Sequence, residues 1–190
     1  HCLVGSEMCI RDRYGLFNVL KGKRMKPYYK EIKAPQFYSP KIHGIAWDID
    51  TTWVEYFNFT ATQVPQEFLL EDSFFNWLAK RHPYKAGILK MDSKSVYNWH
   101  KDSNRGVCIN CMIPTPNTSY TFFRETHAVQ HPVVELSYYP GVRYVFNNQK
   151  DHMVLNYDGL RFMLTVEFNA DKDHLTFYDL VEDIEKNYER

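Results

Sequence analysis

The triplet His100-Lys101-Asp102, a distant His152 and then Arg161 are the residues of this chain whose types and spacing could do chemistry. Two imidazoles and one carboxylate can occupy one face of an Fe(II) ion and leave the opposite positions open for a cosubstrate and dioxygen. On an extended strand, residues i and i+2 point to the same side, roughly 6–7 Å apart at the backbone. A long imidazole and a short carboxylate converge on one ion from that spacing, while Lys101 between them faces away. An H-x-D of this kind suits a β-scaffold, although taken alone it arises by chance in many sequences.

His152 offers the third ligand. It lies fifty residues beyond Asp102, in Asp151-His-Met-Val-Leu-Asn, which has the texture of a strand start. Past the turn Tyr157-Asp-Gly, Arg161 opens the apolar run Arg-Phe-Met-Leu-Thr-Val-Glu-Phe. A strand there would run antiparallel to the one carrying His152 and return the guanidinium towards the metal. Guanidinium is a planar, two-pronged partner for a carboxylate, which a dicarboxylate chelating the iron by its other end would need. His127 and His131 are the rival third ligands. Neither is followed at comparable spacing by an Arg that opens an apolar strand, because Arg143 comes too soon after a Pro-Gly turn.

Together these residues resemble the signature of the Fe(II)/2-oxoglutarate-dependent oxygenase superfamily. The strings His-Lys-Asp-Ser-Asn-Arg-Gly-Val-Cys-Ile-Asn and His-Met-Val-Leu-Asn…Arg are similar to its aspartyl/asparaginyl β-hydroxylase-like branch and that branch's relatives in phage and marine bacterial genomes. The resemblance covers about 85–168. It implies a double-stranded β-helix, a cupin-like jelly roll, with Fe(II) held at its mouth by His100, Asp102 and His152. It implies 2-oxoglutarate anchored through its distal carboxylate by Arg161. The reaction it implies is decarboxylation of 2-oxoglutarate to succinate with dioxygen, coupled to hydroxylation of a C–H bond, with ascorbate as a stimulant. Many relatives carry Arg-x-Ser on this strand. Here Met163 stands in the Ser position and cannot donate a hydrogen bond, so Thr165 or Tyr97 is expected to supply that contact. Arg105 is expected to touch substrate or a ligand carboxylate, or else to be a surface charge. Asn110 and Asn156 either orient ligands, since metal-bound histidines usually donate their second N–H to a neighbour, or are ordinary strand and turn residues. Trp99 reads as a packing wall.

The elements that must position these groups are mainly β with flanking helices. Short apolar segments recur between turn residues at 86–91, 106–113, 119–124, 133–138, 143–146, 152–156 and 161–168, a spacing that predicts an antiparallel sandwich or barrel. Upstream, Pro27, Pro35 and Pro40 interrupt any long element across 14–50. Ile45-Ala-Trp-Asp-Ile-Asp and Thr51–Thr60 read as strand-rich. Pro65–Arg81 reads as the main helix, with Phe68, Leu69, Phe74, Phe75, Trp77 and Leu78 on its apolar face. The tail 175–188 alternates apolar and acidic residues at helical spacing and predicts a docked helix. No internal repeat or linker is visible, so 14–190 reads as a single oxygenase domain with its jelly-roll core at about 85–168.

Lys+Arg and Asp+Glu are both 23, a balance that argues against a nucleic-acid or membrane-surface binder relying on bulk positive charge. No apolar run is long enough to span a bilayer as a helix. The opening His1–Arg13 resembles a translated adapter left by sequencing or cloning, which makes Met25 a natural start. Of the cysteines beyond it, Cys108 and Cys111 form a C-x-x-C on a strand-like segment. Residues three apart on a strand face opposite ways, so both are expected to be buried and unpaired, as in a reducing, cytoplasmic compartment. The expected partner is a small-molecule or peptidyl substrate. Three rival readings stand beside it: a non-redox cupin-like jelly roll that binds a small molecule, a phage structural jelly roll with an empty site, and a zinc hydrolase using the same triad, which would leave Arg161 without a purpose.

Overall fold

From Tyr84 onward, short β-branched and aromatic segments alternate between two facing sheets. The computed structural model describes residues 27–125 and 132–189. The leader reading of 1–13, the start at Met25 and the rival ligands His127 and His131 fall outside them. In chain order the elements are β1 (Tyr29–Glu31), α1 (Pro40–Trp47), β2 (Val54–Tyr56), β3 (Phe59–Val64), α2 (Glu67–Leu70), α3 (Ser73–Arg81), β4 (Tyr84–Met91) and β5 (Ser95–His100). They continue as β6 (Val107–Met112), β7 (Asn117–Arg124), β8 (Val133–Leu136), β9 (Arg143–Asn147), β10 (Asp151–Gly159), β11 (Arg161–Phe168) and α4 (Phe177–Asn187).

A seven-stranded sheet runs β1-β9-β6-β11-β4-β3-β2, and a four-stranded sheet runs β5-β10-β7-β8. Strands β4 to β11 cross back and forth between the two, and every pair is antiparallel. That is the topology of a jelly roll. Period-two alternation splits each central strand between two cores. Phe162, Leu164, Val166 and Phe168 of β11 join Val107, Ile109 and Cys111 of β6 beneath the four helices. The opposite faces meet the four-stranded sheet, where Cys108, Tyr144, Phe146, Phe123 and Leu136 form a smaller core. Cys108 and Cys111 are buried and free on opposite faces, as the spacing predicts. The inter-sheet gap also carries polar side chains, which is what a site needs.

Three local expectations are corrected. Ile45–Trp47 is not extended but lies in α1, which begins with the side chain of Ser39 accepting from the Ile42 N–H and with Pro40 in the first turn. Proline fits there because it has no N–H to leave unsatisfied, so Pro40 starts an element rather than interrupting one. The helix expected over 65–81 is two, because Asp72 turns its carboxylate onto the N–H groups of Phe74 and Phe75 and caps a new helix. The strand expected at 51–60 is a hairpin, β2 turning at Phe57-Asn58 into β3. Strand β5, absent from the segments read along the sequence, carries the first metal-ligand candidate at its end.

Asp72 has a second role. Its carboxylate also pairs with Arg143, whose side chain is only 1% exposed and lies over the rings of Phe37, Phe74 and Phe75. Asp72→Ala is expected to cost about 3–5 kcal/mol in urea unfolding, because it strands a buried guanidinium and removes a cap. Arg143→Met should cost much less, since Asp72 retains solvent access and still caps α3.

Candidate metal centre

His100 ends β5, at the edge of the four-stranded sheet, and His152 stands opposite it near the start of β10. Asp102 follows in the loop that leads back to β6. The structure brings the three together: their ligand atoms lie within 4.8 Å of one another, with His100 Nε2 3.7 Å from Asp102 Oδ1. The two imidazole centroids are 4.2 Å apart. Two strands and one loop thus deliver the donor set of a two-histidine, one-carboxylate site.

The histidine tautomers follow from their partners. Nδ1 of His100 lies 2.7 Å from the Asn98 carbonyl, and Nδ1 of His152 lies 2.8 Å from the Lys150 carbonyl. A carbonyl only accepts, so each Nδ1 carries a proton and each Nε2 is the nitrogen turned towards the other two groups. Burial, and then the neighbouring His100, push the pKa of His152 down to about 4. His152 is therefore neutral at ordinary pH, the form that a metal requires. Phe123 and Phe146 pack around its ring. Asp102 is held on one side only: its Oδ2 accepts from Arg105 Nη2 and from Asn148 Nδ2, both at 2.7 Å. Arg105 is thus placed on the carboxylate of the ligand candidate Asp102. Asn148 was not foreseen, since Asn-Asn-Gln before Asp151 reads as ordinary turn chemistry.

Arg161 sits apart from this triad, on the inner face of the opposite sheet. Strand β11 does not pair with β10. After Gly159, at φ +73°, the chain crosses to the seven-stranded sheet, so the guanidinium enters the gap from the other wall. Gly159 is required there, because a Cβ would collide with the Pro116 carbonyl as well as strain the backbone. Arg161 is 4% exposed. Its Nη1 reaches only Met91 Sδ at 4.0 Å, its Nε has no partner among the described residues, and its guanidinium lies 5.8 Å from the Tyr138 ring centroid. Burial pulls its pKa below the usual range, the Tyr138 phenol opposing.

The other candidates fall into place around these two points. Thr165 lies on the inner face of β11, opposite Asn110 of β6. Asn110 does not touch the histidines; its Nδ2 donates to the Tyr138 hydroxyl at 3.1 Å, beside Arg161. Burial raises the Tyr138 pKa, so that phenol keeps its proton. Tyr138 was missed because nothing in Ser-Tyr-Tyr-Pro-Gly distinguishes it from a turn flank. Asn156 orients no ligand. Its Nδ2 donates to the carbonyls of Met91, Asp92 and Gly159 and locks the turn that delivers Arg161. Tyr97 is not beside Arg161 but on the other side of the centre, its ring 4.0 Å from that of His100.

There it lines an open cavity of about 630 Å³ that includes His100, Asp102, Arg105, Lys101 and Glu167, with Phe57 and Trp99 as further aromatic walls. The β2–β3 hairpin builds one side. Phe57 stacks on Tyr97, and Asn58 Nδ2 donates to the Val96 carbonyl at 2.6 Å. Trp99 carries the Arg124 guanidinium 4.4 Å from its ring centroid. His100 and Asp102 therefore open onto an accessible aromatic cavity, while the Arg161 guanidinium is buried on the other sheet.

No protein-family model matches the sequence, and no curated protein does. Solved structures are similar in fold. One is a prolyl-4-hydroxylase from Pseudomonas putida, with TM-score 0.54 and 10% identity, covering 75% of this chain and 92% of that one. Another is HygX from Streptomyces hygroscopicus with nickel, 2-oxoglutarate and hygromycin B bound, with TM-score 0.53 and 9% identity, covering 76% and 83%. A third is the viral collagen prolyl hydroxylase of Paramecium Bursaria Chlorella virus-1 in its 2OG complex, with TM-score 0.52 and 9% identity, covering 75% and 96%. At such identities the likeness shows the fold, and the chain is a mainly β protein of the double-stranded β-helix type.

Proposed function

We propose that this protein is an Fe(II)- and 2-oxoglutarate-dependent oxygenase that hydroxylates a C–H bond of a small-molecule or peptidyl substrate. The observation that carries the reading is the buried Arg161 guanidinium, which has no anionic partner among the described residues while the same fold gives buried Arg143 a carboxylate. An unpaired buried cation is costly, and a ligand carboxylate would offset that cost. The donor set fits Fe(II), since imidazole nitrogens and a carboxylate oxygen with open positions are what non-haem oxygenases use.

When bound, iron and 2-oxoglutarate would supply oxygen activation coupled to decarboxylation. The chain's own part is to bind, orient and exclude water. His100 and His152 offer Nε2, and Asp102 offers Oδ1. Arg161 and the protonated Tyr138 hydroxyl would hold a distal carboxylate, with Thr165 on the same inner face of β11. Phe123 and Phe146 keep water from His152. The outer cavity receives the substrate, with Phe57, Tyr97 and Trp99 as flat walls and Lys101 as a cation at the rim. The similar structures named as hydroxylases support this reading, as does HygX with its bound 2-oxoglutarate. The string from His100 to Asn110 favours the aspartyl/asparaginyl hydroxylase-like branch, and the two free cysteines favour a reducing cytoplasm.

Thermal unfolding with Mn(II) and 2-oxoglutarate tests the binding half. At a hundredfold excess over Kd the pair should stabilise the protein by about 2.7 kcal/mol, roughly 5–10 °C in Tm. Metal alone should give part of that gain, and adding 2-oxoglutarate should complete it. A protein that gains nothing from metal would favour the non-redox cupin-like reading. Succinate formation with Fe(II), ascorbate and air, absent in His100→Ala, tests the catalytic half.

A further inference from the structure

We infer that Asn148 is a positioning residue: with Arg105 it occupies one oxygen of Asp102, so that the carboxylate meets a metal through the other oxygen alone. The inference rests on the metal reading above and concerns how that site keeps positions open. A carboxylate that chelates with both oxygens takes two positions on an octahedral ion. Bound through one, it leaves three free with two imidazoles in place, enough for a two-pronged cosubstrate and dioxygen.

The geometry assigns the two oxygens separately. Oδ2 accepts from Arg105 Nη2 and Asn148 Nδ2, each at 2.7 Å, and Oδ1 is the oxygen nearest His100 Nε2. Asn148 is 2% exposed and its Oδ1 has no partner among the described residues. A rotated amide would press that oxygen against the carboxylate, so charge alone dictates that Nδ2 faces Asp102. The attachment is reinforced by the backbone. The Asp102 N–H donates to the Asn148 carbonyl at 3.1 Å, and Gln149 Nε2 donates to the carbonyls of Asp102 and Arg105 at 3.0 and 2.7 Å. The same turn supplies the Lys150 carbonyl that sets the His152 tautomer. One short turn between β9 and β10 thus orients two of the three ligands, which stand far apart in sequence.

The test is titration of the protein with Co(II), whose visible absorption reports coordination number. Asn148→Ala and the near-isosteric Asn148→Leu should each weaken Co(II) binding about 10–100-fold and change the absorption band, as Oδ2, then held by Arg105 alone, turns towards the metal. Gln149→Ala removes two bonds of the same turn but none to the carboxylate oxygens. It should lower Tm and leave the band unchanged. Equal affinity and an unchanged band in both Asn148 variants would overturn the inference, as would a band shift in Gln149→Ala matching theirs. A wild-type protein that takes up no Co(II) would overturn the metal reading itself.

Discussion

Arg161→Met is expected to make the ligand-free protein more stable and at the same time deaf to 2-oxoglutarate. The two effects have opposite signs because one feature causes both. The guanidinium is buried without a carboxylate among the described residues, near only a thioether and an aromatic face. Replacing a buried charge by an apolar side chain of similar length removes a desolvation penalty, and even for paired charges the result ranges from neutral to about 1–4 kcal/mol of gain. The same replacement deprives a bound carboxylate of a desolvated partner, which costs about 2–5 kcal/mol, or roughly thirty- to several-thousand-fold in Kd. Urea unfolding without ligand and calorimetric titration of 2-oxoglutarate into the metal-loaded protein read the two halves independently. Metal affinity should be unchanged, because Arg161 makes no contact with the triad. Undiminished 2-oxoglutarate binding in this variant would remove Arg161 from the role proposed for it.

His100→Ala is the second large effect, confined to the metal. His100 is a partly exposed residue at the end of an edge strand, held by one hydrogen bond to the Asn98 carbonyl and by the Tyr97 ring. Its loss should cost the fold only about 1 kcal/mol. Metal affinity should fall by more than about 100-fold, beyond what loss of a supporting hydrogen bond costs, and succinate formation should vanish with it. A third readout follows from electrostatics. His100 is the second cause, after burial, of the low His152 pKa. In His100→Ala the His152 imidazole should therefore titrate at higher pH while remaining below the ordinary histidine value, which NMR of the ring protons can follow. Metal binding that survives the substitution would mean that the ligand set lies elsewhere.

Much of the architecture was legible along the chain because strands announce themselves locally. The recurrence of short apolar runs separated by turn residues predicted β4 and β6 to β11, and the acidic-apolar tail predicted α4. The misreadings come from residues whose meaning depends on a neighbour. Pro40 breaks a helix if it falls inside and begins one if Ser39 caps it. Asp72 is an ordinary acidic residue of a helix until its side chain turns back to start a new one. At the site, His100, Asp102, His152 and Arg161 stood out because few side chains can bind a metal or a carboxylate. Tyr138 and Asn148 did not, because a tyrosine or an asparagine beside a turn is common.

By itself, then, the sequence determined the donor chemistry and the two-sheet pattern, since both depend on side-chain type and short-range period. Only the tertiary structure decided which groups face one another. It sent β11 to the opposite sheet from β10 and left Arg161 without a carboxylate. It also brought the 147–150 turn onto Asp102, turned Asn156 away from the ligands and moved Tyr97 to the outer cavity. Those outcomes depend on strand order and on where two sheets meet, which residues distant in the chain settle jointly through packing.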